Sequence, residues 1–134
     1  VSPITELDTC FIKSVGNKNI YSSLDDIQSE SLIFPSSRSS LRKNLDKICE
    51  SKNLILSPKL EFETEELIID AVRRNLGVGY VVSPAVEYLI KANILSKIEI
   101  KQDLPKLEIN LVSIDNNLTK IAKLFIKEEI LNEK

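Results

Sequence analysis

The chain has 134 residues, 43% of them apolar and 28% charged, with a formal net charge of -2. That is the composition of one soluble globular domain, able to bury about 68% of its unfolded surface without a disulfide framework or a structural metal. The near balance of 18 basic and 20 acidic residues excludes a grip on a phosphate backbone through bulk charge, and the absence of His excludes imidazole catalysis and imidazole metal ligands. With 5% aromatic residues and no Trp, the core must come from Ile, Leu and Val. Cys10 and Cys49 lie far apart and outside any C-x-x-C pattern, so they read as reduced structural cysteines, and no metal or cofactor is expected. No apolar run approaches the roughly 18 residues of a membrane span, and residues 1–6 lack the basic and apolar regions of a signal peptide. A cytoplasmic location without membrane contact is the expectation, and a start without Met suits a piece of a longer protein.

Short β-rich runs alternate with helical ones, the signature of βαβ units. Residues 9–13 (TCFIK) are the first predicted strand; a polar loop over 14–20 and a short segment at 22–27 follow. The second strand, 31–34 (SLIF), is stopped by Pro35 and the cluster Ser36, Ser37, Ser39 and Ser40. Leu41, Leu45 and Ile48 then recur on one face, which predicts a helix over 39–51 with a serine N-cap. After an extended run at 56–62, Thr64 reads as an N-cap, with Glu65 and Glu66 in the first turn, Arg73 and Arg74 in the last, and Gly77 as the C′ residue. Residues 77–82 form a strand too apolar for an exposed edge. Ser83-Pro84 then predicts a capped helix to about residue 92, with Val86, Leu89 and Ile90 inward. A short strand at 94–100, a polar turn with Pro105 and an alternating strand at 107–114 lead to an amphipathic helix over 116–131.

Five segments carry a resemblance: a C-F-I strand, S-L-D-D-I, S-L-I-F-P-S-S-R-S-S-L-R-x-x-L-D, E-x-E-T-E-E-L-I-I-D-A-V-R-R-N-L-G-V-G-Y-V-V-S-P-A-V, and L-T-K-I-A-K-L-F-I. In this order and spacing the chain resembles the effector-binding domain of LysR-type transcriptional regulators over residues 9–125. The resemblance implies an α/β, periplasmic-binding-protein-like (type 2) subdomain, a mostly parallel sheet flanked by helices, with a C-terminal strand and helix. It implies a small-molecule effector in a cleft between two subdomains. It also implies a homodimer and DNA binding through an N-terminal winged helix-turn-helix that these residues do not include. On this pattern residues 1–8 are a linker or residual crossover, 9–112 the distal subdomain, and 113–134 a helix belonging to a proximal subdomain whose first part is missing.

In an open sheet, ligands sit beyond the carboxyl ends of parallel strands, where helix N-termini offer unsatisfied N–H groups. Two corners qualify: residues 35–39, where Ser36, Ser37, Ser39 and Arg38 suit a carboxylate or phosphate, and residues 63–64. With Val82 at the end of the strand after Gly77, the implied effector-binding set is Ser36, Ser37, Arg38, Ser39, Thr64 and Val82. Each has a plainer reading: the serines and Thr64 as caps and turn formers, Arg38 as a solvent-facing charge. Glu65 and Glu66 are explained by the helix dipole, and Asn117-Leu118-Thr119 has no meaning as a glycosylation acceptor without a secretory signal. The expected function is ligand sensing, probed by a small anion and without catalysis. The alternatives are a stand-alone solute-binding or porphobilinogen-deaminase-like lobe of the same fold, and a subdomain that associates through bare strand edges.

Overall fold

The computed structural model describes residues 4–110. The helix expected over 116–131 and the end of the strand expected over 107–114 lie outside these residues.

Five strands make one sheet: β2 (Thr9–Ser14), β3 (Leu32–Pro35), β4 (Leu60–Phe62), β5 (Val78–Val82) and β6 (Leu95–Ile98), in the order β4-β3-β5-β2-β6. β3 pairs in parallel with β4 and β5, whereas β2 pairs antiparallel with β5 and β6. The expectation of a mostly parallel sheet therefore holds for strand direction, since β2 alone runs against the rest. It is corrected for pairing: two ladders are parallel and two antiparallel. The reason lies in the connections. Parallel neighbours need a long crossover, and after the short α1 (Leu24–Ile27) helices α2 (Ser40–Ser51) and α3 (Glu65–Arg73) supply those of β3, β4 and β5. β2 precedes both crossovers.

β1 (Ile4–Leu7) pairs antiparallel with β7 (Leu107–Asn110) in a separate two-stranded ladder. Only Asp8 separates β1 from β2, and Thr9 lies opposite Val82. The start of β2 and the ladder thus lie at the carboxyl ends of β3, β4 and β5.

Helices cover both faces. A side chain on Gly79 would meet Val72 and Ile68 of α3, which fixes the face α3 covers. On the other, Phe11, Phe34 and Tyr80 form one fully buried ring cluster with centroids 4.8 to 6.3 Å apart, and Arg42 of α2 lies 5.5 Å from the Phe34 ring. The core is aliphatic, as the composition implies, but with an aromatic centre.

The helix starts follow the sequence. Ser39 Oγ accepts from the Arg42 N–H at 3.0 Å and Thr64 Oγ1 from the Leu67 N–H at 3.4 Å. The ends do not. α2, α3 and α4 (Glu87–Lys91) are each followed by an asparagine in the left-handed region: Asn53 (φ 57), Asn75 (φ 61) and Asn93 (φ 61). The next residue's N–H then returns to the carbonyl of Cys49, Ala71 or Leu89, the Schellman arrangement. Gly77 is thus not the C′ residue. Glycine is required there because a Cβ would stand 2.2 Å from the Ser31 carbonyl oxygen, which accepts from the Val78 N–H at 2.8 Å.

Ser83-Pro84 also departs from expectation. It opens a 3-10 turn, Ser83–Ala85, with Val82 as its cap. The Ser83 N–H donates to the Asp8 carbonyl at 2.7 Å, which keeps this residue on the sheet with its side chain buried rather than free to cap. β4 is shorter than the run expected over 56–62, because Pro58 has no N–H to give the ladder.

Candidate functional site: the carboxyl edge of the sheet

The parallel register sets the site. Pro35 stands opposite Phe62, and Ile33 opposite Gly79, so the same spacing brings the residues after β3, β4 and β5 to one edge. Continued by one residue, this register puts Ser36, Glu63 and Val82 at one level, with Thr64 one residue beyond it.

On the β3–β4 side the chain satisfies itself. The Ser36 N–H donates to the Phe62 carbonyl at 3.0 Å, and Ser36 Oγ accepts from the Arg38 N–H at 3.2 Å. Ser39 Oγ is occupied in capping α2. Ser37 is exposed and makes no side-chain hydrogen bond among the described residues. Arg38 reaches across the edge to Glu63, Nη2 to Oε1 at 2.6 Å, with the two side chains 81% and 63% exposed. The hydrogen bond from Arg38 holds the Glu63 carboxyl below its ordinary range. An anion arriving here meets a guanidinium that already has a partner.

Behind this corner Arg42 is buried to 11% exposure and bonds the Pro35 carbonyl at 3.2 Å, Glu61 at 2.8 Å and Asp46 at 3.1 Å. It ties α2 to both β3 and β4. The sequence reading passed over Arg42, and its only local signal is the i,i+4 spacing to Asp46.

On the β5–β2 side the polar groups are not satisfied. Among the described residues three buried side-chain oxygens have no hydrogen-bond partner: Oε1 and Oε2 of Glu65, and Oγ of Ser83. Burial pushes the Glu65 carboxyl from 4.5 up to about 7, with the Val82 backbone N–H, near enough to act as a donor, working the other way. Cys10 belongs to the same group: burial pushes its thiol up, the Ser83 hydroxyl acts to lower it, and the Glu65 charge raises it further. Beside them the Tyr80 hydroxyl donates to Thr9 Oγ1, and Thr9 donates to the Pro105 carbonyl, each at 2.7 Å. Burial raises the Tyr80 hydroxyl far above its ordinary range.

The structure thus brings Ser36, Ser37, Arg38, Ser39 and Thr64 to one edge with the backbone of Val82. The Val82 side chain is 1% exposed and lies within the core, so only its main chain faces the edge. Two surface depressions, of about 230 and 480 Å³, lie along α3–α4 and along α2 and include none of these six residues. Glu65 and Ser83 are the additions that sequence reasoning missed.

The LysR substrate binding domain model matches residues 18–128, and the chain belongs to that family. A comparison with curated proteins finds no match. Among solved structures, the chain is similar to the effector binding domain of QuiR in complex with shikimate: TM-score 0.66, 16% identity, 95% of this chain and 63% of that one. It is similar to the Synechocystis PCC6803 CcmR regulatory domain in complex with 2-PG: TM-score 0.65, 12% identity, 93% of this chain and 67% of that one. It is also similar to Vibrio fischeri DarR in complex with DNA: TM-score 0.61, 12% identity, 93% of this chain and 46% of that one. The periplasmic-binding-protein-like α/β fold is common to these regulatory domains. The chain spans about two thirds of the length of the first two. Among the described residues no helix is long and apolar enough to cross a membrane.

Proposed function

We propose that this chain is the sensing part of a LysR-type transcriptional regulator, binding a small effector at the carboxyl edge of its sheet. It makes and breaks no bonds. The single observation that carries the reading is the convergence of Ser36, Ser37, Arg38, Thr64 and the Val82 backbone on one edge of a family domain. The effector is a small anion, held by the hydroxyls of Ser36 and Ser37, the amides at the start of α2 and Arg38, which exchanges Glu63 for the ligand. Ser39 serves as the cap beneath it. Shikimate on QuiR and 2-PG on CcmR support a small-molecule ligand for this fold.

Residues 9–112 form the distal subdomain, whose last strand runs in the β1/β7 ladder, and residues 1–8 and 113–134 lead to a proximal subdomain. The separation of that ladder from the main sheet supports a hinge there. In the longer regulator, working as a homodimer in the cytoplasm, the bound effector favours one arrangement of the subdomains and shifts how the dimer holds DNA. DarR in complex with DNA supports that last step.

The test is a thermal-shift screen of small carboxylates and phosphates on the chain, repeated with Arg38→Glu. A compound that raises Tm in the parent and loses its effect in the variant is the expected result. Compounds whose effect is indifferent to Arg38→Glu, Ser36→Ala and Ser37→Ala would place binding elsewhere.

A further inference from the structure

We infer that Glu65, with Ser83 beside it, is the specificity-determining acceptor of the effector site, and that the effector carries a hydroxyl or amino group that donates to it. The inference rests on the sensing reading above and adds the chemistry of the ligand's second end.

Three observations carry it. The Glu65 carboxyl oxygens are buried and have no side-chain partner among the described residues, only the Val82 backbone acting on them, and Ser83 Oγ, near Cys10, is likewise buried without a hydrogen bond of ordinary geometry. A buried carboxyl without a partner costs several kcal/mol by the usual scale of such groups, so buried polar groups of this kind are rarely left unmet. Second, among the described residues no basic side chain forms an ion pair with it: Arg38 is engaged with Glu63, Arg42 with Glu61 and Asp46, and Arg74 with Asp70, while the charge of Lys97 acts on the neighbouring Cys10. Third, the place is the carboxyl edge itself. Glu65 is the first residue of α3, next to the cap Thr64, and Ser83 directly follows the last residue of β5.

The chemistry then follows from charge and hydrogen-bond inventory. A carboxylate only accepts, and a hydroxyl both donates and accepts. A purely anionic group cannot answer the ionised Glu65, and a hydrocarbon group would leave all three oxygens orphaned. A hydroxyl or amine on the ligand satisfies the carboxyl by donating to it. Sites built around such a buried acceptor reject analogues that lack the donor by large factors, because binding such an analogue leaves the acceptor unpaired. The two corners divide the ligand between them: the anion at Arg38 and Ser37, the donor at Glu65.

Matched pairs that differ only in the donor test this. Shikimate against cyclohex-1-ene-1-carboxylate, glycerate against propionate, and alanine against propionate are titrated into isotopically labelled chain, following the amides of Ser36, Val82 and Ser83 by NMR. We expect the donor-bearing member of at least one pair to bind tenfold or more tightly than its mate. Glu65→Leu should erase that preference, so that the two members of a pair bind alike, Glu65→Gln should keep part of it for a hydroxyl, and Ser83→Ala should reduce it. A merely structural Glu65 would move both members of a pair alike. If members bind at the edge with equal affinity, or the preference survives Glu65→Leu, sensing stands and the acceptor site is overturned. If no compound moves the edge amides, the sensing reading is overturned and this inference with it.

Discussion

On the β3–β4 side of the sheet's edge, the half-buried hydroxyls of Ser36 and Ser39 each accept a backbone amide, and the exposed charges pair with each other. On the β5–β2 side, the buried oxygens of Glu65 and Ser83 make no hydrogen bond of ordinary geometry among the described residues. The first arrangement holds the chain in shape whether or not a ligand is present. The second carries a folding cost that a partner can remove, which is what a recognition site needs: binding is strongest where the free protein is least content. The difference predicts that substitutions on one side change stability in proportion to lost contacts, while those on the other can increase it.

The largest effect is expected at Glu65. Its carboxyl titrates at about 7 in the fold against 4.5 ordinarily. Between those values the native state holds a proton that the unfolded chain has released, so stability falls as pH rises through this window and levels off above it. At about 1.4 kcal/mol per pH unit the total is about 3 kcal/mol. Urea denaturation of Glu65→Gln at pH 5 and pH 8 measures it: the variant should be the more stable protein at pH 8 by about this amount, with the two nearly equal at pH 5. Cys10, the other titratable group beside it, is pushed upward and does not ionise in this window. A parent chain whose stability is flat from pH 5 to 8 would mean that the carboxyl has a partner after all.

Second comes Arg42, the half-buried tie of the satisfied side. Arg42→Ala removes charge-assisted bonds to Pro35, Glu61 and Asp46 together with the packing on Phe34. A loss of about 2 to 3 kcal/mol is expected, independent of pH between 6 and 8, and chemical denaturation at two pH values would show whether that independence holds. A pH-dependent loss would tie this side to the other.

These two residues also show what a sequence can and cannot carry. The caps at Ser39 and Thr64 are local chemistry, an oxygen three residues before an amide, and were readable directly. The strand runs at 9–13, 31–34 and 78–82 were readable from their apolar character. Glu65 and Glu66 look alike in sequence, but helix phase turns Glu65 under the end of β5 and leaves Glu66 in water. Burial of that kind is set by the neighbouring strand, not by the residue type. Gly77 misleads for a similar reason: glycine near a helix end suggests a C′ residue, yet the close approach that demands it comes from Ser31, on a distant part of the chain. The true C′ residues, Asn53, Asn75 and Asn93, share a local pattern of asparagine followed by Leu or Ile that is legible in sequence. The antiparallel seat of β2 depends on which strand it joins, which periodicity does not record.

The caps themselves come third. Ser39→Ala should cost about 1 kcal/mol and Thr64→Ala less, since the Thr64 bond, at 3.4 Å, is the longer of the two. The measurement is the shift in urea midpoint at constant slope. Equal costs would mean that Thr64 does more at the edge than cap α3.

The smallest stability effect belongs to the most conspicuous contact. Arg38 and Glu63 sit 2.6 Å apart, but both are solvated and each loses side-chain freedom by pairing, so the pair contributes little to folding. Arg38→Ala should leave the urea midpoint unmoved. It should instead abolish the Tm shift produced by an anionic ligand, because this exposed guanidinium can exchange an internal partner for an external one. Glu63→Gln sharpens the point. It frees the same guanidinium without removing it, so anions should bind more tightly to this variant than to the parent, by a margin that shrinks as salt is added. Tighter binding in Glu63→Gln with none in Arg38→Ala identifies the pair as a latch over the anion corner. If both variants bind as the parent does, Arg38 is only a surface charge, and the ligand is held by the serines and amides alone.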